Sequence, residues 1–154
     1  MSGFDRPALP ATGWVSLLKP EDRDLLASYG EFIGVHPDHD MIRQGDNQNH
    51  VFFVISGKLE VRKQGLQDDI IVGVIGADES IGELAIFDPS PASASVRALE
   101  FSQVWKIDRD SLFSFIQDSP VAGNTILLGL CEILSRRLRE ASSRLVDAKT
   151  GFSA

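Results

Sequence analysis

The sequence predicts a mainly β fold with flanking helices, an antiparallel set of short strands closed by one long C-terminal helix. Three observations carry this. Between Glu31 and Asp108, short apolar and β-branched runs alternate with turn residues at the spacing of a roll or barrel. After Ser119-Pro120, apolar residues recur at helical steps almost to the end of the chain. With 154 residues, 43% of them hydrophobic, the chain has enough apolar mass for one globular core.

Residues 1–13, with Pro7 and Pro10, read as an irregular lead-in. Pro20-Glu21-Asp22 opens a short helix, with proline in the first turn and acids near the N-terminus, and Gly30 stops it. Strands follow at Phe32–Val35, Asp40–Arg43, His50–Ile55, Leu59–Arg62, Asp69–Ile75, Ser93–Glu100 and Gln103–Asp108. The turns Gly45-Asp46 and Ser56-Gly57 separate members of the set. Arg109–Gln117 is a short helix. A long one begins with Ser119 as cap and Pro120 at its first position. The division is therefore a lead-in (1–13), a β domain with its N-terminal helix (14–118), a long helix (119–147) and a tail (148–154).

The most informative stretch is Ile81-Gly82-Glu83-Leu84-Ala85-Ile86-Phe87, entered through the turn-prone Gly76–Ser80. A helix this short leaves backbone N–H groups of its first turn pointing at whatever lies in front, an arrangement that favours anions. Glu83, inside that turn, can accept hydrogen bonds from hydroxyls. An anion beside a diol describes a sugar phosphate.

Together with Pro91-Ala92-Ser93-Ala94-Ser95-Val96-Arg97-Ala98, this stretch resembles the phosphate-binding cassette of the cyclic-nucleotide-binding domain family. That family's pattern is approximately F/I-G-E-L-A/G-L, a variable loop, then R-A/S-A-T/S-V-R/K-A. The resemblance covers about Trp14 to Val146 and implies an antiparallel β-roll, of jelly-roll or double-stranded β-helix type, with about eight strands. It implies that Glu83 binds a ribose hydroxyl, that amides of Gly82, Glu83, Leu84 and Ala85 hold the cyclic phosphate, and that Ser93 and Ser95 are the small polar positions beside it. One position departs from the pattern: Ala92 stands where the family has its phosphate-pairing arginine. A methyl group supplies neither charge nor the paired donors of a guanidinium. Its loss weakens binding by roughly 10- to 150-fold or more. Arg97 matches an ordinary basic position on the following strand.

Within the long helix Leu127, Cys131, Leu134, Leu138, Ala141 and Leu145 alternate steps of four and three, the spacing of a heptad seam. Ile126, Leu130 and Ile133 form a second apolar line that gives way to Arg137. One line suits the domain and the other a partner; a helix that only caps its own domain is the competing reading. The resemblance favours a homodimer through this helix and places Ser142 or Ser143 near a bound base. Arg136, Arg137, Arg139 and Arg144 read as solvated or paired by helical spacing with Glu132 and Glu140.

Formal charge is −7, from 15 basic and 22 acidic residues, which argues against direct nucleic-acid binding. No run suits a membrane span or signal peptide, so a cytoplasmic protein is expected. A single cysteine excludes an internal disulfide. His36-Pro37-Asp38-His39-Asp40 has turn composition and no third metal ligand in a predictable geometry, and His50 opens a strand. No nucleophile–base arrangement is recognisable, so no catalytic residue and no metal are expected, and no cofactor. By resemblance the ligand is cyclic AMP or cyclic GMP, bound with altered affinity. The expected role is a stand-alone regulatory sensor that takes a small anionic ligand and signals through its last helix to an unidentified effector. Glu83 as a helix-dipole partner, and Ser93 and Ser95 as small strand residues, support the alternative of a ligand-free dimerising interaction module. No output domain follows Val146, which leaves open a sensor fragment of a transcriptional regulator.

Overall fold

The computed structural model describes residues 7–150. A 3-10 turn at Gly13–Val15 precedes helix α1, Pro20–Tyr29. The strands are β1 (Glu31–Val35), β2 (Asp40–Ile42), β3 (Asn47–Gln48), β4 (His50–Ser56), β5 (Lys58–Gln64), β6 (Asp69–Gly76) and β7 (Ser80–Ile81). Helix α2 (Glu83–Phe87) interrupts them before β8 (Ser90–Pro91), β9 (Ser95–Ala98) and β10 (Ser102–Asp108). Helices α3 (Arg109–Asp118) and α4 (Pro120–Thr150) complete the described chain.

Two four-stranded antiparallel sheets form the roll, in the orders β1-β10-β4-β7 and β2-β9-β5-β6, with β3-β8 as a two-stranded ribbon. The β4 sequence explains how they stack. Its run Val51-Phe52-Phe53-Val54 is buried on both faces. Phe52 and Val54 meet Val35, Leu59, Val96 and Val104 between the sheets. Val51 and Phe53 point the other way, with Trp105 and Ile107, into a second core shared with Trp14, Leu26, Phe115, Ile126 and Leu130. One sheet is thus common to two cores, and the helices are fixed to its outer face.

Several boundaries differ from the sequence expectation. The β-rich segment holds ten strands; the two-residue pieces β3, β7 and β8 are too short for periodicity to register. The run expected over Ser93–Glu100 pairs only over Ser95–Ala98. Helix α4 continues to Thr150, past the expected end at 147. Ser119 does not act through its hydroxyl: its N–H closes α3 on the Phe115 carbonyl (2.9 Å), and its own carbonyl accepts from Gly123 N–H (2.7 Å). The side-chain cap belongs instead to Asp108, which accepts from the Ser111 N–H at 2.8 Å and holds α3. Of the lead-in and tail, residues 1–6 and 151–154 lie outside the described residues.

Candidate functional site

Gly82 sets the site's geometry. It is the N-cap of α2 with φ 91°, a left-handed conformation that a side chain disfavours, and a Cβ there would stand 2.3 Å from the His50 carbonyl oxygen. Glycine therefore lets the chain turn tightly against β4 and start α2 where β7 ends. Ala85 N–H is taken by the Gly82 carbonyl at 3.2 Å, so the turn itself uses that amide. The N–H groups of Glu83 and Leu84 find no protein acceptor among the described residues.

A cavity of about 320 Å³ opens in front of α2. Its wall combines the Gly82–Ala85 turn, Pro91 through Ala94 on the returning segment, and apolar residues Ile42, Val61 and Val96 from the facing sheet. Ala92 and Ser93 both line it. Ala92 is pinned by two backbone bonds to the Gly45-Asp46 turn, donating to the Asp46 carbonyl and accepting from Gly45 N–H, each at 2.8 Å. Its methyl group thus lines the cavity at the position where the sequence departs from the cassette pattern.

Glu83 is 1% exposed, and both its carboxylate oxygens accept hydrogen bonds. The Ser80 hydroxyl donates to its Oε1, and the Trp14 indole N–H donates to Ser80 Oγ at 3.2 Å. Arg137, on α4, donates to Glu83 Oε2 at 2.7 Å and to the Ser80 carbonyl at 2.8 Å, with a longer contact of 3.4 Å to Oε1. A buried carboxylate needs such a partner, because an unpaired charge in an apolar wall is expensive. The network joins the 3-10 turn, the α2 turn and the last helix. Among the described residues lining the cavity, Glu83 and Arg137 are the only charged ones, and they are paired with each other.

This corrects the reading of Arg137 as a solvated or helix-paired residue; of that basic group, Arg136 does pair by spacing with Glu132, at 3.3 Å. The signal was present in the sequence. Ile126, Leu130 and Ile133 follow one helical line, and Arg137 is its next member, so the line that packs on the domain delivers the guanidinium to Glu83. Ser95 also departs from expectation. Its hydroxyl accepts from Gln44 N–H at 2.9 Å and faces a separate cleft with Asp40, Arg43 and Arg62. Ser142 and Ser143 are exposed on α4 and do not line the cavity in the single chain. Arg97 pairs with Asp40 at 3.2 Å, outside the cavity, as an ordinary strand residue would.

The heptad line lies on the open side of α4. Leu127 and Leu134 are half-buried, Cys131 and Ala141 are exposed, and Leu138 and Leu145 are 69% and 58% exposed.

The cyclic nucleotide-binding domain model matches residues 33–119. The CRP-like cAMP-activated global transcriptional regulator of Mycobacterium tuberculosis is 28% identical over 142 residues, covering 80% of this chain and 62% of that protein. Among solved structures, the Thermus thermophilus catabolite activator protein superposes with a TM-score of 0.80 at 27% identity, covering 88% of this chain and 62% of that one. A cyclic nucleotide-binding domain from Methylobacillus flagellatus KT gives 0.78 at 26% identity, over 85% and 74% of the two chains. The chain spans about three-fifths of the length of the Mycobacterium tuberculosis regulator and of the Thermus thermophilus cyclic AMP receptor protein.

Proposed function

The chain belongs to the cyclic nucleotide-binding domain family, and on that premise we propose that it is a regulatory sensor for a small anionic ligand, signalling through α4. One observation carries the reading: Glu83, the single carboxylate among the described residues lining the cavity, is tied directly to the last helix through Arg137. Whatever enters the cavity and engages Glu83 changes the surroundings of a residue on α4. A ligand transmits nothing unless it binds two arrangements with different affinity, and this contact is where such a difference would be felt.

In this reading a cyclic nucleotide, cyclic AMP or cyclic GMP, places its ribose against Glu83 and its phosphate near Gly82, Glu83 and Leu84, with Ala85 shaping the turn and Ser93 adding a hydroxyl. The exposed Leu138 and Leu145 line then joins two chains, and α4 carries the signal to an effector protein in the cytoplasm. Ala92 and the pairing already made by Glu83 favour a second reading, in which the module dimerises without a ligand.

Titration calorimetry with cyclic AMP and cyclic GMP separates the two. We expect weak binding by the natural chain and a gain of about 10-fold or more on Ala92→Arg, since a charged hydrogen bond to phosphate is restored. No binding by either protein would remove the ligand and leave the interaction module.

A further inference from the structure

If the cavity takes an anion, as proposed above, a cation of this chain beside it would strengthen the binding that backbone amides alone provide. Ala92 does not. Arg97 is committed to Asp40 outside the cavity, and Arg43 and Arg62 line a different cleft. Arg137 is the one cation among the described lining residues. Its place is rigidly determined from two sides. The buried line Ile126 and Leu130, with Ile133 beside it, seats the helix, and the Glu83 and Ser80 contacts fix the guanidinium itself.

Those contacts engage both terminal nitrogens, Nη1 toward Glu83 and Nη2 toward Glu83 and the Ser80 carbonyl. A guanidinium carries more N–H donors than they consume; Nε and the remaining terminal hydrogens have no protein acceptor among the described residues, and the side chain is 45% exposed. Glu83, in contrast, is 1% exposed in the cavity wall. A charged group held by a buried carboxylate and still carrying unused donors is already oriented, so little freedom remains to be lost when an anion arrives.

We propose that Arg137 is the anion-binding residue of this cavity, supplying from α4 the charge that is missing at Ala92. The unused N–H donors of the guanidinium meet the anionic group while its pairing with Glu83 is kept. Glu83 keeps lone pairs for a ligand hydroxyl. The consequence is specific to this chain: recognition of the ligand's charge and its transmission to the helix run through the same side chain.

The test is a cycle of Ala92→Arg and Arg137→Ala, titrated with cyclic AMP and with adenosine, which lacks the phosphate. In the natural background Arg137→Ala is expected to weaken cyclic AMP by about 10-fold or more, the loss of a charged hydrogen bond, and adenosine by less than about 3-fold, since no charge is recognised there. With Ala92→Arg present, the same loss should shrink to less than about 3-fold, because the phosphate then has its own guanidinium. Equal losses for the two ligands, or in the two backgrounds, would show that Arg137 only holds Glu83 and would overturn the proposal. So would binding by Ala92→Arg alone with none by the natural protein, a result that leaves the proposed function standing; silence from both proteins ends both. Because Arg137→Ala strands a buried carboxylate, circular dichroism checks its folding. Where it fails, Glu83→Gln/Arg137→Ala is compared with Glu83→Gln, with the same loss confined to cyclic AMP expected.

Discussion

At Gly82 one missing side chain decides where the cassette turn lies. The left-handed backbone alone costs a substituted residue about 1–2 kcal/mol, and the added Cβ collides with the His50 carbonyl, which belongs to a buried strand and cannot retreat far. Gly82→Ala should therefore destabilise the domain by more than the conformational cost, read as a lower urea midpoint, and should weaken ligand binding as α2 shifts. A folded variant with an unchanged midpoint would show that the turn has slack. His50 itself gives a pH prediction. Burial, reinforced by the nearby Lys106 charge, holds its pKa below the ordinary 6.5, against weaker opposite pulls from Asp108 and Glu31. The unfolded chain then takes up a proton first, so this contribution is complete above 6.5 and is lost as pH falls through the depressed folded value. Urea midpoints measured between pH 7.5 and 5.5 should fall on that side, and His50→Gln should flatten the decline. Asp108 acts in a different window. The Ser111 N–H lowers its pKa below 3.8, so its contribution survives mild acid and is lost only further down.

Helix α4 shows how one element serves two surfaces. Its line of Ile126, Leu130 and Ile133 belongs to the core, whereas the heptad line is half-buried at Leu127 and Leu134 and open to solvent at Leu138 and Leu145. The two lines predict opposite phenotypes. Ile126→Ala removes a fully buried side chain and should cost about 2–5 kcal/mol, seen as a lower midpoint at any protein concentration. Leu138→Glu touches no core. It should leave the single-chain fold within about 0.5 kcal/mol, while light scattering reports a fall from near twice 16.8 kDa to 16.8 kDa. A natural protein already monomeric at tens of micromolar would remove the seam. The same helix shows what periodicity can and cannot read. Both apolar lines were legible from spacing, and so was the alternation of the longer strands, whose residues face two cores. Strands β3, β7 and β8 were not, because a two-residue strand has no period; it exists only where a partner strand lies beside it. Helix α4 also runs past the expected end at 147, since nothing in an exposed polar helix marks a stop there.

Over the whole molecule, the candidate cavity gathers the α2 turn, the segment around Ala92, the facing strand residues Ile42 and Val61, and a guanidinium more than fifty positions from the carboxylate it meets. The amino-acid order alone determined the class of fold, the cassette with its glycine and its Ala92 departure, and the two stripes of the last helix. These are local facts, written in turn chemistry, motif and period. Only the folded chain decided which arginine faces Glu83, that Ser95 turns away to Gln44, and that Ser142 and Ser143 stand clear of the pocket. Each depends on how helix and sheet dock, and docking is fixed by close packing of side chains far apart in sequence, which no local pattern records.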